Sequence, residues 1–287
     1  MKKVLIYFLI VLVFSILWII TNALMPFSQT FTDINAETSP LAAIFMFICS
    51  AFICFAICFI VSNSNWRGMK RVAGISFAVF MINSFMMQIE TMFFGSAFPA
   101  LTRIDALLIM FSALPSILVG TILSVKFFGN KDTAEKRRRI PVSTLVPRIM
   151  IIGPIYMIIY ILFGYFVLWQ FEEARLFYEF LGNIEGFTFI GTLMIIPPFT
   201  YFFQFVRGIM FALFVLPIFY MLQEKGRKNF IISVCLIYFT TPVLLIVPNP
   251  LFPDVVRWAH FIEMSLSMLV FGIIVGNIMW KKQKTST

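Results

Sequence analysis

Apolar residues occur along this chain in long, nearly unbroken runs that short polar stretches separate. Each run is about 20 residues long, which is the length that an α-helix needs to cross the hydrocarbon core of a bilayer. A strand of a membrane barrel would instead show about ten residues of alternating polarity. The pattern predicts an all-α, polytopic transmembrane helical bundle of eight spans, at residues 4–24, 41–61, 72–94, 104–125, 149–171, 199–222, 230–247 and 258–280.

One apolar stretch, residues 188–222, is too long for a single span. Pro197 and Pro198 divide it, because proline removes a backbone donor and clashes with the preceding helical turn. We therefore expect a short outer interfacial or re-entrant helix before span six, at about residues 183–196. The first apolar run is too long for a typical signal peptide and is interpreted as span one. With no separate soluble region in the sequence, residues 1–287 form a single integral membrane domain.

Composition indicates the solvent of the spans, and the positions of the basic residues give the orientation of the spans in the membrane. The chain is 61% hydrophobic and 12% charged, which indicates lipid rather than water as its solvent. Of its 22 lysines and arginines, all but Arg103, Arg175, Arg207 and Arg257 fall at the two ends or beside loops that follow even-numbered spans. Because basic loops stay in the cytoplasm, both termini are predicted to be cytoplasmic.

The net charge of +9 predicts contact with lipid rather than with nucleic acid, since no basic segment carries a nucleic-acid-binding signature. The longest inner loop contains Lys136, Arg137, Arg138 and Arg139, which would attract anionic lipid headgroups. The same loop is also a candidate docking site for a cytoplasmic protein. The Lys-Lys start and the lack of sorting motifs favour a cell membrane, the cytoplasmic membrane of a bacterium.

Ionisable side chains inside spans are costly in hydrocarbon and usually mark function. Here they are Glu90 in span three, Arg207 in span six, and His260 with Glu263 in span eight. Once the direction of each span is fixed, the rise of 1.5 Å per residue puts all four within roughly 12 Å of the outer boundary. The four side chains are therefore predicted to share one layer in the outer half of the bundle.

Helical spacing gives each span of this layer a polar face. Asn83 falls on the face of Glu90, Gln204 on that of Arg207, and His260 on that of Glu263. We expect Glu90 or Glu263 to pair with Arg207, with His260 and Gln204 completing the hydrogen bonds. Tyr156 and Tyr160, one turn apart in span five, are candidates for lining a polar route. In the simpler alternative the ion pair only fixes the register of the helices.

The motifs exclude several kinds of chemistry. There is a single histidine, and the four cysteines, Cys49, Cys54, Cys58 and Cys235, form no Cys-x-x-Cys pair. This predicts no metal site and no cofactor, and it leaves the catalytic residues, if there are any, unknown.

Three functions remain open. The best interpretation is a transporter or permease, in which Arg207 binds a small or anionic solute and Glu90 or Glu263 carries a proton. A non-catalytic membrane subunit or receptor-like protein would bind a partner through the bundle. An intramembrane enzyme would use His260 with a glutamate as an acid/base pair on a lipid-linked substrate at the outer leaflet.

Overall fold

A computed structural model describes residues 1–36, 39–130, 141–178 and 187–280. Eight helices in this part are long and apolar enough to cross a membrane. They confirm the all-α bundle, and no β-strand occurs in the described ranges. Spans 1 to 8 are Lys2–Ala23, Ala42–Asn63, Gly68–Phe93, Arg103–Phe128, Val142–Gln170, Pro198–Leu222, Arg227–Ile246 and Asp254–Trp280.

Several spans begin earlier than the apolar runs predict. Span 5 begins at Val142 instead of residue 149, and span 8 begins at Asp254 instead of 258. The added first turns contain Arg148 and Arg257, whose guanidinium groups bond to backbone carbonyls of neighbouring spans. A prediction from hydropathy leaves arginines outside a span. Here the helix includes them, because neighbouring carbonyl groups accept their hydrogen bonds.

Three spans are interrupted near their middles or inner thirds. Span 3 consists of the α-helices Gly68–Val79 and Met86–Phe93, joined by a π-helix at Phe80–Phe85. Span 4 divides into Arg103–Ser112 and Leu114–Phe128, and span 6 into Pro198–Phe214 and Leu216–Leu222. Pro115 and Pro217 stand directly after the latter two breaks, where a missing donor prevents a continuous helix. Span 5 is one helix, Val142–Phe166, followed by a 3₁₀ turn at Leu168–Gln170.

The spans pack as two groups with spans 3 and 7 between them. Spans 1, 2 and 4 contact one another on one side, and span 5 contacts spans 6 and 8 on the other. Spans 7 and 8 approach closely because Gly272 and Gly276 face span 7. A Cβ added to Gly272 would lie 3.0 Å from Cys235 Cα, and one added to Gly276 would lie 3.1 Å from Ile231 Cα. The Gly-x-x-x-Gly spacing thus brings two helix backbones together.

Short helices close the end of the bundle that the charge pattern places outside, the outer end. They are Gln29–Asn35, Glu172–Phe177 and Phe189–Ile195. The last lies within the predicted interfacial or re-entrant helix at 183–196, of which residues 183–186 fall outside the described ranges, as does the basic loop at 136–139. Asp105 ties the first of these helices to span 4, because its buried carboxylate accepts from Ser28 N and Ser28 Oγ at 2.8 and 2.7 Å.

Candidate functional site

The outer half of the bundle contains a buried ion pair between spans 3 and 6. Arg207 Nη1 and Nη2 donate to Glu90 Oε1 and Oε2 at 2.5 and 2.7 Å. This is the bidentate geometry in which a guanidinium fork matches a carboxylate. Arg207 is 1% exposed, and the Glu90 side chain is 20% exposed. The pairing of Arg207 with one of two glutamates, expected from the sequence, is therefore made by Glu90.

The rest of the Arg207 guanidinium is enclosed by its own span and by aromatic rings. Gln204 Oε1, one turn earlier, accepts from Nη1 at 2.9 Å. The guanidinium carbon lies 5.6 Å from the ring centroids of Tyr156 and Phe203. Such cation–π contacts contribute to holding a desolvated cation. Both Nη atoms are therefore occupied by Glu90 and Gln204, and the buried Nε is the one guanidinium nitrogen without a hydrogen-bond partner among the described residues.

His260 and Glu263 form a second polar group on span 8. The Tyr178 hydroxyl lies 2.5 Å from His260 Nε2, and His260 Nδ1 lies 3.7 Å from Glu263 Oε2. The second distance exceeds a direct hydrogen bond. Donation from Tyr178 to Nε2 leaves the proton of a neutral imidazole on Nδ1, facing the carboxylate. Tyr178, His260 and Glu263 thus form a row that leads from the outer end into the bundle.

The two polar groups face one cavity of about 30 Å³, which is room for about two water molecules. Spans 3, 5 and 8 line it, and residues 168–178, called here the outer segment, close it from outside. Its polar lining is Glu90, Tyr156, Tyr160, Tyr178, His260, Glu263 and Ser267. The cavity therefore collects most of the predicted layer at one place, and it adds the span-five tyrosines.

A close approach of spans 5 and 6 positions this wall. A Cβ on Gly208 would lie 2.6 Å from Tyr156 Cβ and 3.0 Å from Gly153 Cα. Because neither glycine has a side chain, the two backbones meet directly, which is the usual role of small residues between membrane helices. The contact sets Arg207, next to Gly208, at the depth of Glu90 and directs Tyr156 into the cavity.

The outer segment is held over the cavity by packing and by the Tyr178 bond. Trp169 is buried and packs edge-on against Tyr160, with ring centroids 5.9 Å apart. Gly164 leaves space for that indole, since a Cβ there would lie 2.8 Å from it. Burial, with the nearby Glu90 carboxylate adding to it, raises the pKa of the Tyr178 hydroxyl above its usual range. The hydroxyl thus keeps its proton and remains a donor.

Asn83 lies elsewhere, although the sequence predicts it on the face of Glu90. Its Nδ2 donates to the Thr240 carbonyl of span 7 at 2.9 Å, and it does not line the cavity. The π-helix at Phe80–Phe85 is the cause. A π turn contains one residue more than an α turn, so the segment carrying Asn83 is rotated relative to that carrying Glu90.

Two parts of the site had no clear signal in the sequence. Trp169 lies near the outer end of the apolar run that predicts span 5, and Tyr178 lies beyond it, in a stretch that hydropathy marks only as a loop. A tyrosine close after the acidic pair Glu172 and Glu173 gave no reason to expect contact with His260. The described residues include no group of three histidine, cysteine, aspartate or glutamate side chains that is suited to holding a metal ion.

Comparison with known proteins adds nothing to this geometry, because no family model, no curated protein and no solved structure matches the chain. The fold and the composition define a multi-pass α-helical membrane protein. Its cavity contains two glutamates, a histidine and three tyrosines.

Replacing Tyr178 with phenylalanine should loosen the outer segment. The change removes the hydroxyl that bonds to His260, and a lost hydrogen bond of about 0.5–1.5 kcal/mol corresponds to roughly two- to tenfold more frequent local opening. Hydrogen–deuterium exchange of residues 168–177 in nanodiscs measures this. Tyr165→Phe is the matched control, since that hydroxyl has no hydrogen-bond partner among the described residues. Equal exchange in both variants would contradict the role of Tyr178.

Proposed function

We propose that the protein is a permease that binds a small solute in this cavity and carries a proton on Glu263. The observation that supports this is the difference between the two glutamates. Glu90 has a complete cationic partner in Arg207, whereas Glu263 is 7% exposed, faces the cavity, and has His260, at 3.7 Å, as its only basic neighbour within 4 Å among the described residues. A carboxylate in so apolar a setting needs a proton or a cation to offset its charge. Exchange of that proton during a transport cycle would couple solute movement to a pH gradient.

The interrupted spans provide a means of moving. Breaks in spans 3, 4 and 6 are linked by aromatic contacts, with Phe80 against Phe111 and Phe85 against Phe214 at ring-centroid distances of 5.9 Å. Transporters commonly use discontinuous helices of this kind to change access to a fixed site. The outer segment would then open and close one side of the cavity.

The test is proton movement in proteoliposomes that contain a pH-sensitive dye and carry a pH gradient. Solutes that cannot carry protons across the bilayer themselves are added outside: guanidinium, urea, methanesulfonate and sorbitol. We expect at least one to cause proton movement above the passive leak, and Glu263→Gln to abolish it. If none of these solutes moves protons in wild-type protein, the permease is excluded in favour of a non-catalytic, partner-binding subunit.

A second candidate function rests on the row of Tyr178, His260 and Glu263. A histidine between a hydroxyl and a carboxylate is an arrangement suited to general acid/base chemistry, here on a lipid-linked substrate entering from the outer leaflet. In this case His260→Asn would abolish product formation from labelled membrane lipid and leave lipid binding intact. An equally active variant would end this hypothesis.

A further inference from the structure

The acidic side chains that face the cavity outnumber the basic ones. Glu90 and Glu263 both line it, whereas Arg207 does not, and both Nη atoms of Arg207 are bound to Glu90. Because Arg207 offsets the charge of Glu90, an anion placed there would be repelled mainly by Glu263 whenever that carboxyl is ionised, at close range and in a medium of low dielectric constant. The anionic solute that the sequence suggested therefore has no cationic group to receive it.

Hydrogen-bonding capacity points the same way. Ionised carboxylates only accept hydrogen bonds. The Tyr156 and Tyr160 hydroxyls also line the cavity, and within the described ranges neither has a hydrogen-bond partner. Although Tyr156 is 4% exposed overall, both tyrosines line the cavity, so a ligand there can reach their hydroxyls. A ligand that supplies several N–H donors would satisfy the carboxylates and these hydroxyl oxygens together.

The remaining wall is aromatic and the volume is small. Phe94, Tyr156, Tyr160, Trp169 and Tyr178 all contribute to the lining. Rings around carboxylates form the kind of cage that binds ammonium groups, because the ring faces attract a cation as it leaves water. A cavity of about 30 Å³, equivalent to about two water molecules, fits a methylammonium or guanidinium group but no bulky ring system.

We infer that the cavity takes a small organic cation with N–H donors, a protonated amine or a guanidinium group, which competes with a proton for the Glu263 carboxylate. This rests on the proposed function in one respect, since competition for one carboxylate would make the permease an exchanger of protons for cations. The ionisable groups around Glu263 are Glu90 from span 3, Tyr156 and Tyr160 from span 5, Arg207 from span 6, Tyr178 from the outer segment, and His260 from its own span. Span 7 contributes no titratable side chain to the lining in the described part of the chain.

Equilibrium binding to the purified protein in detergent tests the ligand class without requiring transport. The probes are labelled guanidinium and urea, which have nearly the same shape and differ in charge, with methylammonium as the amine and methanesulfonate as an anion. We expect saturable binding of the two cations that weakens as the pH is lowered, and no binding of urea or methanesulfonate. Preferential binding of methanesulfonate, or equal binding of urea and guanidinium, would overturn the inference.

Variants connect the binding to the site. Glu263→Gln should weaken guanidinium binding by about tenfold or more, because it removes one charge-assisted contact. Tyr156→Phe, which removes a single oxygen, should weaken it about threefold to tenfold. Glu224→Gln, at an exposed glutamate near the other end of span 6, should bind as wild type. The inference fails if Glu263→Gln, folded by its unchanged melting temperature, binds guanidinium with wild-type affinity; Tyr156→Phe decides in its place if Glu263→Gln does not fold.

The two proposals fail in different ways. If guanidinium binds through Glu263 but no solute moves protons in proteoliposomes, the cation site stands and the permease does not. If methanesulfonate or sorbitol drives proton movement and guanidinium does not, the permease stands and the cation site is wrong.

Discussion

Replacing Arg207 with alanine is expected to destabilise the folded protein by about 3–5 kcal/mol, the usual cost of removing one partner from a buried ion pair. Both oxygens of Glu90 lose their donors, and Gln204 Oε1 loses its own. The aromatic rings around the guanidinium cannot replace these bonds. Thermal unfolding of the purified protein in detergent measures the loss, and the amount of protein in the membrane should fall with it.

A second change in the partner distinguishes this cause from a general packing defect. Adding Glu90→Gln to Arg207→Ala removes the unpaired charge, so part of the lost stability should return. Arg103→Ala changes an exposed arginine at the start of span 4 and should unfold at the wild-type temperature. If Arg207→Ala also unfolds there, the pair contributes no stability. A simultaneous loss of proton-coupled solute movement would then give Arg207 a role in transport alone.

The bundle and its charged layer could be predicted because both follow from the cost of polar groups in lipid. A backbone in hydrocarbon must satisfy its own hydrogen bonds, so eight apolar runs become eight helices. The same cost requires Arg207 to find a carboxylate, and span direction put Glu90 and Glu263 at its depth. The choice of Glu90 depends on how spans 3 and 6 pack against each other, which no single-helix pattern contains.

Other parts of the site depend on contacts between distant segments. Asn83 was expected beside Glu90 because an unbroken α-helix was assumed, and the π-helix at Phe80–Phe85 changes that register. Tyr178 reaches His260 across 82 positions of sequence, from a segment that hydropathy marks only as a loop. Periodicity describes one helix at a time. It therefore found the charged residues and missed the segment that encloses them.

Replacing Gly208 with valine is expected to have the other large effect, because it acts on the backbone contact behind the site. A Cβ at this position already lies 2.6 Å from Tyr156 Cβ and 3.0 Å from Gly153 Cα. Both neighbours are atoms of the backbone or bonded directly to it. A change of side-chain rotamer therefore cannot move either of them away. Spans 5 and 6 must separate, and overpacking of a tight contact costs about 1–3 kcal/mol. We expect valine to reach or exceed the upper figure and alanine to fall below valine.

The separation of spans 5 and 6 should also change the shape of the cavity. A glycine that only permits helix packing would affect stability without affecting ligand binding. Moving span 6 away from span 5 displaces Arg207 from the ring of Tyr156, which is part of the cavity lining. Gly208→Ala, the milder variant, should therefore weaken guanidinium binding while it still unfolds cooperatively. Gly95→Val serves as the control, since a Cβ there meets nothing within 4 Å. Melting temperature and guanidinium affinity are measured for all three variants. Wild-type values for Gly208→Val would show that spans 5 and 6 do not meet at this glycine.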